Sequence, residues 1–408
     1  MKYKLLCVAS VCLALMVGSM SQAQDDVTVH YWHTMSDPET EKLEEMIAVF
    51  EENHPGIHIE ATRYAYNDFK EALLTSLAGG EAPDVARLDI VWVPEFAELG
   101  ALAPMEDLFE DFDTLVEGFF PGPLQTVIWN GQYWGLPLNT NTQVLLYNAE
   151  QFEEAGLEVP QTTEDFVNSV CTLSRDEEQY GYAMGGTYFW APAPLFFAQG
   201  GQITDEDVTT ADGYLNSEAS VQAFQTLVDL YNEGCLSPNL LGGGVGTAEG
   251  HATGFYSMII DGPWMVDIYA NDFPEFDVNF ALIPAGGEDN TTSSVVGGED
   301  VVLFADSDNQ EAALEWINFL ISEDYQLGMA EVGVIPVLNS LSGNEHLPDY
   351  FDVFMSQLET AQARTPNPHW SEMDNAINNA FQYMLRGEKL VQEALDDAAA
   401  EIDMMLAE

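Results

Sequence analysis

Residues 131–148 read GQYWGLPLNTNTQVLLYN. Aromatic residues give way to Pro137, then to the polar cluster Asn139, Thr140, Asn141 and Thr142, then to the apolar run Val144–Tyr147. A short apolar run bounded by polar and turn-forming residues has the pattern of a buried strand. The polar cluster before it reads as a pocket lip, because short amides and hydroxyls at a strand end can bond a ligand's polar groups. The segment therefore predicts a pocket set beside a sheet.

The N-terminal part of the chain supplies that sheet. Val27–Trp32 reads as a strand, and Asp37-Pro38 opens a helix, with Asp37 as cap and Pro38 at the first helical position. Leu43, Met46, Ile47 and Phe50 follow at helical spacing. A second strand at 57–62, a helix near 67–77, a Gly79-Gly80 stop and a third strand around 85–88 complete a β-α-β-α-β order. Such alternation implies a parallel sheet wrapped by helices. Ligands in these sheets sit beyond the carboxyl ends of strands, which makes Trp32, His33, Thr34, Leu88 and Asp89 lip residues. Helical patterns return near 163–173, 217–232 and 310–322, and a terminal helix carries Val391, Ala394, Leu395, Ala398, Ile402 and Met405 on one face. The length of 408 residues suits two lobes. With no repeat or Pro/Ser-rich linker between them, the backbone is expected to cross from lobe to lobe more than once.

Lys2 and Lys4, the apolar stretch 5–17 and Ser21-Gln22-Ala23 form the pattern of a cleaved secretory signal over residues 1–23. Cys7 and Cys12 lie too early in it for a lipid-anchored cysteine. The expectation is a free periplasmic protein. Sixty-nine acidic residues stand against ten basic ones, a formal charge of −59, or −61 once the two lysines of residues 1–23 are removed. That balance argues against nucleic acid or anionic lipid as a partner, since both are bound through Lys and Arg. The acids are spread along the whole chain, which fits a protein solvated in a salty exterior. Cys171 and Cys235 remain after processing, and an oxidising compartment permits a disulfide between them.

Enzymatic motifs are missing. His30, His33, His54, His58, His251, His346 and His369 show no HExxH or paired-ligand spacing. Gly242–Gly250 lacks the Lys-Ser/Thr of a phosphate loop and reads as a connection, and there is no GxSxG elbow. Carboxylates this abundant say nothing about glycoside hydrolysis. The aromatics say more. Trp32, Trp92, Trp134, Tyr188, Trp190, Trp264 and Trp370 sit in polar, turn-like or Gly/Pro-flanked contexts, whereas Trp316 lies on the helical stripe Ala313–Trp316–Ile317–Leu320 and belongs to the core. Flat C–H faces of sugar rings stack on such aromatics, and an apolar surface with a few placed polar groups is the usual pocket composition.

Several separated segments together resemble the family 1 extracellular solute-binding proteins, which include maltose- and trehalose/maltose-binding proteins. Ala82–Val85 with Trp92, Phe96-Ala97 and Gly100–Leu102 resembles the family's first ligand loop and its following helix, and Leu136–Asn148 the lobe crossover. Phe255–Trp264 (FYSMIIDGPW) resembles the segment that brings in a stacking tryptophan, Gly297–Glu299 the return crossover, and 311–322, 333–336 and 387–395 complete the order.

The resemblance implies an α/β, two-lobed periplasmic-binding-protein fold of type II, each lobe a mostly parallel sheet flanked by helices and joined by hinge crossovers. It implies an N-terminal lobe of residues 24–138 plus 295–335 and a C-terminal lobe of 139–294 plus 336–408. The ligand contacts it implies are Asp89, Asn139, Asn141, Tyr188, Trp190, Trp264, Glu299 and Trp370, beside the lip residues Trp32 and His33. The implied function is capture of a neutral sugar by hinge closure and delivery to the permease subunits of an ABC importer in the inner membrane, by a monomer that is not an enzyme and needs no cofactor. Two alternatives stay open: the same fold binding glycerol phosphate or a polyol, and a secreted carbohydrate-active enzyme. A phosphate would call on Arg63, Arg87 or Arg364. The crossover's Asn-Thr-Asn-Thr departs from the acidic pattern of maltose binders, so maltose itself is not implied.

Acidity of this degree carries its own consequence. Salt shortens the Debye length to about 3 Å at 1 M and relieves self-repulsion. The melting temperature is expected to rise with added salt through the molar range; a flat or falling profile by differential scanning fluorimetry contradicts the halophilic reading.

Overall fold

The computed structural model describes residues 26–407, apart from 110, 176 and 177. The expected signal at 1–23, with Cys7 and Cys12, lies outside the described residues. The chain opens with β1 (Val27–His33), the helix Asp37–Asn53, β2 (Ile57–Arg63), the helix Tyr66–Gly79 and β3 (Val85–Asp89). β1 pairs in parallel with both β2 and β3. Leu43, Met46 and Phe50 are the buried stripe of the first helix, as their spacing requires. Its cap is Ser36 rather than Asp37. Ser36 Oγ accepts from the Glu39 N–H while the Glu39 carboxylate accepts from the Ser36 N–H at 2.6 Å. This reciprocal box satisfies two backbone donors and leaves Asp37 and Pro38 inside the first turn.

A small hairpin, β4 (Ile128–Trp129) and β5 (Gln132–Tyr133), leads into β6 (Leu136–Thr142) and β7 (Val144–Tyr147). β8 (Tyr180–Ala183), β9 (Tyr256–Asp261), β10 (Asn279–Ala281) and β11 (Val296–Leu303) complete the strands. They form a five-stranded sheet, β2-β1-β3-β11-β6, and a four-stranded sheet, β10-β7-β9-β8. In the first sheet β11 alone opposes the others, and in the second β7 does. Each sheet carries its own core. The first is packed by Leu43, Phe50, Trp316 and Ile317 and by Phe69, Leu73 and Phe96. The second is packed by Phe166, Leu227, Ile377 and Leu395 and by Tyr256, Ile259 and Phe354. Trp316 is fully buried, as its stripe demanded. The helices Thr163–Leu173, Glu218–Asn232 and Val391–Leu406 fall where the periodicity places them, whereas the 310–322 pattern ends at Leu320 and restarts as Glu323–Ala330 under a Ser322 cap.

The polar cluster 139–142 is not a loop before a strand; it is the second half of β6. Asn139, Thr140 and Thr142 are buried. A strand tolerates these residues in its interior because their polar atoms are bonded: Thr142 Oγ1 donates to Val295 O at 2.7 Å and Thr140 Oγ1 to Gly297 O at 3.2 Å. Only Gln143 separates β6 in the first sheet from β7 in the second, so the chain changes lobes within one residue. Consequently the 138/139 division falls inside β6. The return crossing at Val295–Val296 runs beside the first, with Ser294 Oγ donating to Gln143 O at 2.8 Å. A third passage is spread over residues 335–351: Ile335 packs in the second core, Val337 returns to the first and Leu338 bridges Phe119, and Phe351 joins the second core again. Among the described residues no helix is long and apolar enough to cross a membrane.

In the second lobe Cys171 and Cys235 form a disulfide with Cα atoms 5.0 Å apart. It ties the helix Thr163–Leu173 to the turn after Glu218–Asn232 across 64 residues of sequence. A loop of that length is worth on the order of 4 kcal/mol in the chain-entropy description. The Cys171→Ser/Cys235→Ser double variant is expected to lose about 2–4 kcal/mol in urea denaturation; unchanged stability in non-reducing buffer contradicts a structural role for the bond.

Candidate functional site

Between the lobes lies a cleft of about 1640 Å³. Its floor comes from strand register. β11 places Glu299 opposite Asp89 of β3 on one side and opposite Asn139 of β6 on the other. Three polar side chains therefore stand in a row across the sheet, level with the end of β3. A bulge follows between Glu299 and Asp300, where Pro137 interrupts the ladder donors of β6. Arg87, two residues back on β3, is buried behind this row. Its guanidinium meets Glu299 at 2.7 Å and donates to Asn139 Oδ1 at 3.2 Å and Thr34 Oγ1 at 3.1 Å. Asn139 Nδ2 in turn donates to Glu299 at 2.6 Å. Burial raises the Glu299 carboxyl above its ordinary value, and Arg87 pulls it back. Asp89 accepts from the Tyr66 hydroxyl at 2.7 Å and from the Val91 N–H at 3.0 Å.

The opposite wall is aromatic. Trp190 and Trp264 lie with centroids 6.3 Å apart and planes tilted by 34°, beside Tyr188; Trp264 is 38% and Tyr188 46% exposed. Trp264 starts the helix Trp264–Asp272 immediately after β9. Its indole folds back over Gly262, where a Cβ would fall 2.2 Å from the ring, so the glycine makes room for this orientation. Asp261 at the end of β9 accepts from the Gly262 N–H at 2.8 Å and from the Trp264 side chain. Burial pushes its carboxyl up to about 6, while those two donors pull it down. Gly297 serves the same end at the hinge: a Cβ there would lie 2.2 Å from Asn141 Oδ1 and 2.5 Å from the Trp190 ring, so its absence lets the indole of one lobe reach the backbone of the other. Asn141 Oδ1 is buried without a protein partner.

Of the sequence-predicted residues, the fold brings Asp89, Asn139, Asn141, Tyr188, Trp190, Trp264 and Glu299 to the cleft. Trp32 does not reach it; its ring packs on Tyr64 with centroids 4.7 Å apart. His33 is fully buried, accepts from the Met35 N–H at 3.3 Å, and is lowered to about 4 by burial and then by Arg87. Trp370 touches the cleft but is only 4% exposed and packs edge-on against Phe189 in the core of the second lobe. Sequence reasoning missed Tyr66, which lines the cleft stacked on Trp92 with centroids 5.2 Å apart. Arg63, Arg87 and Arg364, the bases a phosphate would call on, reach the cleft together with Lys70, which the sequence did not single out. Four of the eight Lys and Arg residues after position 23 (Arg63, Lys70, Arg87 and Arg364) line this one cleft. Each is held by a carboxylate: Arg63 by Asp37, Lys70 by Glu95, Arg87 by Glu299, and Arg364 by Asp89 at 3.6 Å. Arg364 also lies over the Trp190 ring, 5.0 Å from its centroid.

A two-lobed α/β fold with its polar floor and aromatic wall on opposite sides of a hinge is the architecture of a solute-binding protein. The model for the bacterial extracellular solute-binding proteins matches residues 36–327, and the chain belongs to that family. It is a binding protein rather than an enzyme. Among curated relatives, the diacetylchitobiose-binding protein DasA of Streptomyces coelicolor is 23% identical over 78% of this chain and 75% of its own. Among solved structures, an ABC substrate-binding protein of Listeria monocytogenes in complex with cycloalternan superposes with a TM-score of 0.84 at 21% identity, covering 94% of this chain and 100% of the other. An ABC transporter solute-binding protein of Thermotoga lettingae bound with α-D-tagatose gives 0.82 at 26% identity, covering 93% and 99%.

The Asp261 geometry makes a pH prediction. A carboxyl whose folded pKa of about 6 exceeds its ordinary 3.8 favours the folded state while protonated, and that contribution is lost as pH rises from about 4 to about 6. The stability of Asp261→Asn relative to the parent is expected to grow across that window and stay level above it. A difference independent of pH, in denaturation curves taken from pH 4 to pH 8, contradicts the assignment.

Proposed function

We propose that the protein captures a neutral sugar in the inter-lobe cleft, in the periplasm, and delivers it by lobe closure to the permease subunits of an ABC importer. The observation that carries this reading is the Trp190–Trp264 corner facing Asn141, whose buried carbonyl oxygen has no protein partner. A pyranose or furanose ring offers both complements, a flat C–H face for an indole and hydroxyl donors for a bare amide oxygen. An unpaired buried acceptor is costly, and a ligand hydroxyl removes that cost when it binds. Tyr66 and Trp92 add apolar surface from the first lobe.

Charge separates this reading from glycerol phosphate. All four bases of the cleft already have carboxylate partners, and Glu39, Glu41, Asp267 and Asp272 line it besides. A phosphate entering there would have to compete with four carboxylates and be repelled by the rest. The names of the relatives divide: some are named for or solved with diacetylchitobiose, cycloalternan and tagatose, and others are named for sn-glycerol 3-phosphate, so the pairing of the cleft's bases carries the distinction. Closure follows if the sugar contacts both walls at once, since only differential affinity for the closed form drives the change. We carry Asp89, Asn139, Asn141, Tyr188, Trp190, Trp264 and Glu299 as the ligand contacts, with Trp190 and Trp264 as platforms worth about 0.5–1.5 kcal/mol each beyond area burial.

Trp264→Ala and Trp190→Ala are each expected to weaken binding of the sugar found by a thermal-shift screen in high salt by about tenfold or more, equivalent to about 1.4 kcal/mol. Unchanged calorimetric affinity in both variants, with folding intact by circular dichroism, refutes the aromatic wall as the binding surface.

A further inference from the structure

Two polar contacts join the lobes across the cleft, one at its rim and one on its floor beside the return crossing, where Gln362 bridges Val295. Lys70 belongs to the helix Tyr66–Gly79, whose Phe69 and Leu73 are buried in the first lobe. Its ammonium is 2.5 Å from Glu95 in the same lobe and donates to Ser371 Oγ at 2.7 Å. Ser371 lies in the first turn of the helix Trp370–Leu385, which packs in the core of the second lobe. The second contact is Asp89 on the first lobe's floor with Arg364, which rests on Trp190 of the second lobe. Both side chains of that pair are nine-tenths buried, yet 3.6 Å is an ion-pair distance and not a hydrogen bond, and Arg364 Nε has no partner.

From these contacts we infer that Lys70 and Ser371 form a rim latch that sets how far the cleft stays closed and thereby tunes ligand affinity. They are positioning residues, acting through the lobe separation. Lys70 keeps Glu95 whether the cleft is open or shut, so the ammonium is never stranded; the Ser371 hydroxyl is the part gained on closing. That gain is a hydrogen bond to a charged group, the stronger kind. A contact made only in the closed form shifts the population toward it and slows ligand escape. The placement of two of the chain's few bases, Lys70 and Arg364, at these contacts fits that role. The Asp89–Arg364 pair, longer than a hydrogen bond, has room to tighten as the same cleft closes.

The latch rests on the cleft being the site that closes, but its test does not need the sugar. In small-angle X-ray scattering of the ligand-free protein, Lys70→Met and Ser371→Ala are each expected to increase the radius of gyration, while Ser371→Thr, which keeps the hydroxyl, retains the parent value. Lys389→Met removes a lysine paired with Asp397 within the second lobe and is the charge control; it is expected to leave the radius unchanged. With a sugar in hand, the two opening variants are expected to raise the dissociation rate about three- to tenfold while leaving the association rate near the parent's. Parent-like radii in both Lys70→Met and Ser371→Ala overturn the latch. Failure to find a sugar leaves the scattering result standing, so the two readings fail separately.

Discussion

β6 and β11 lie side by side as they leave the first sheet, and their antiparallel pairing is what relates the lobes to each other. Both crossings run through it. Thr140, Thr142 and Ser294 satisfy their hydroxyls on the opposing backbone, which ties the two crossing strands together and leaves Asn141 Oδ1 as the unpaired acceptor between them. With Gln143 alone between β6 and β7, a rotation of the lobes has few dihedrals through which to act. That is how a hinge localises motion. The same pairing sets Asn139 and Glu299 across from one another, and it puts Gly297 where Trp190 of the other lobe approaches. Floor and hinge are consequences of one strand register, and the wall, set by the end of β9, meets them at Gly297.

Electrostatics within the cleft depend on where few bases are placed among many acids. A chain with 69 acidic residues has carboxylates near any surface, so their presence in the cleft is uninformative. The bases are informative because they are scarce, and half of those after residue 23 converge here. Arg87 spends its charge on Glu299 and Asn139 and holds the floor rigid. Arg364 and Lys70 reach between lobes. None is left to pair with an anionic ligand, which is why the reading favours an uncharged, hydroxylated one. High external salt leaves the short, buried Arg87–Glu299 pair largely intact while it screens repulsion on the surface.

Much of the fold was legible from periodicity. The β-α-β-α-β opening, the helix 163–173 and the Trp316 stripe rest on spacing alone, and spacing reports which face of a helix is buried. The family model's match to residues 36–327 agrees with the order of motifs along the chain. What spacing could not show is which way a residue at a strand or helix end turns. Trp32 and His33 sit at the end of β1 as expected, but one packs on Tyr64 and the other is sealed behind Arg87. Trp370 looked loop-borne because of the prolines before it, yet it opens a helix and faces the core. The cluster 139–142 reads as a lip before the strand because polar residues seldom continue one; its partners lie about 150 residues away in sequence, beyond any local signal. Tyr66 and Ser371 were hidden for the same reason.

The central claim is that this cleft takes a neutral sugar rather than an anionic or open-chain solute. Isothermal titration of the purified protein in molar salt, against a neutral oligosaccharide series, glycerol 3-phosphate and a linear polyol, tests it most directly. Saturable one-site binding confined to the cyclic sugars is expected. Binding of glycerol 3-phosphate with none of the sugars would contradict it.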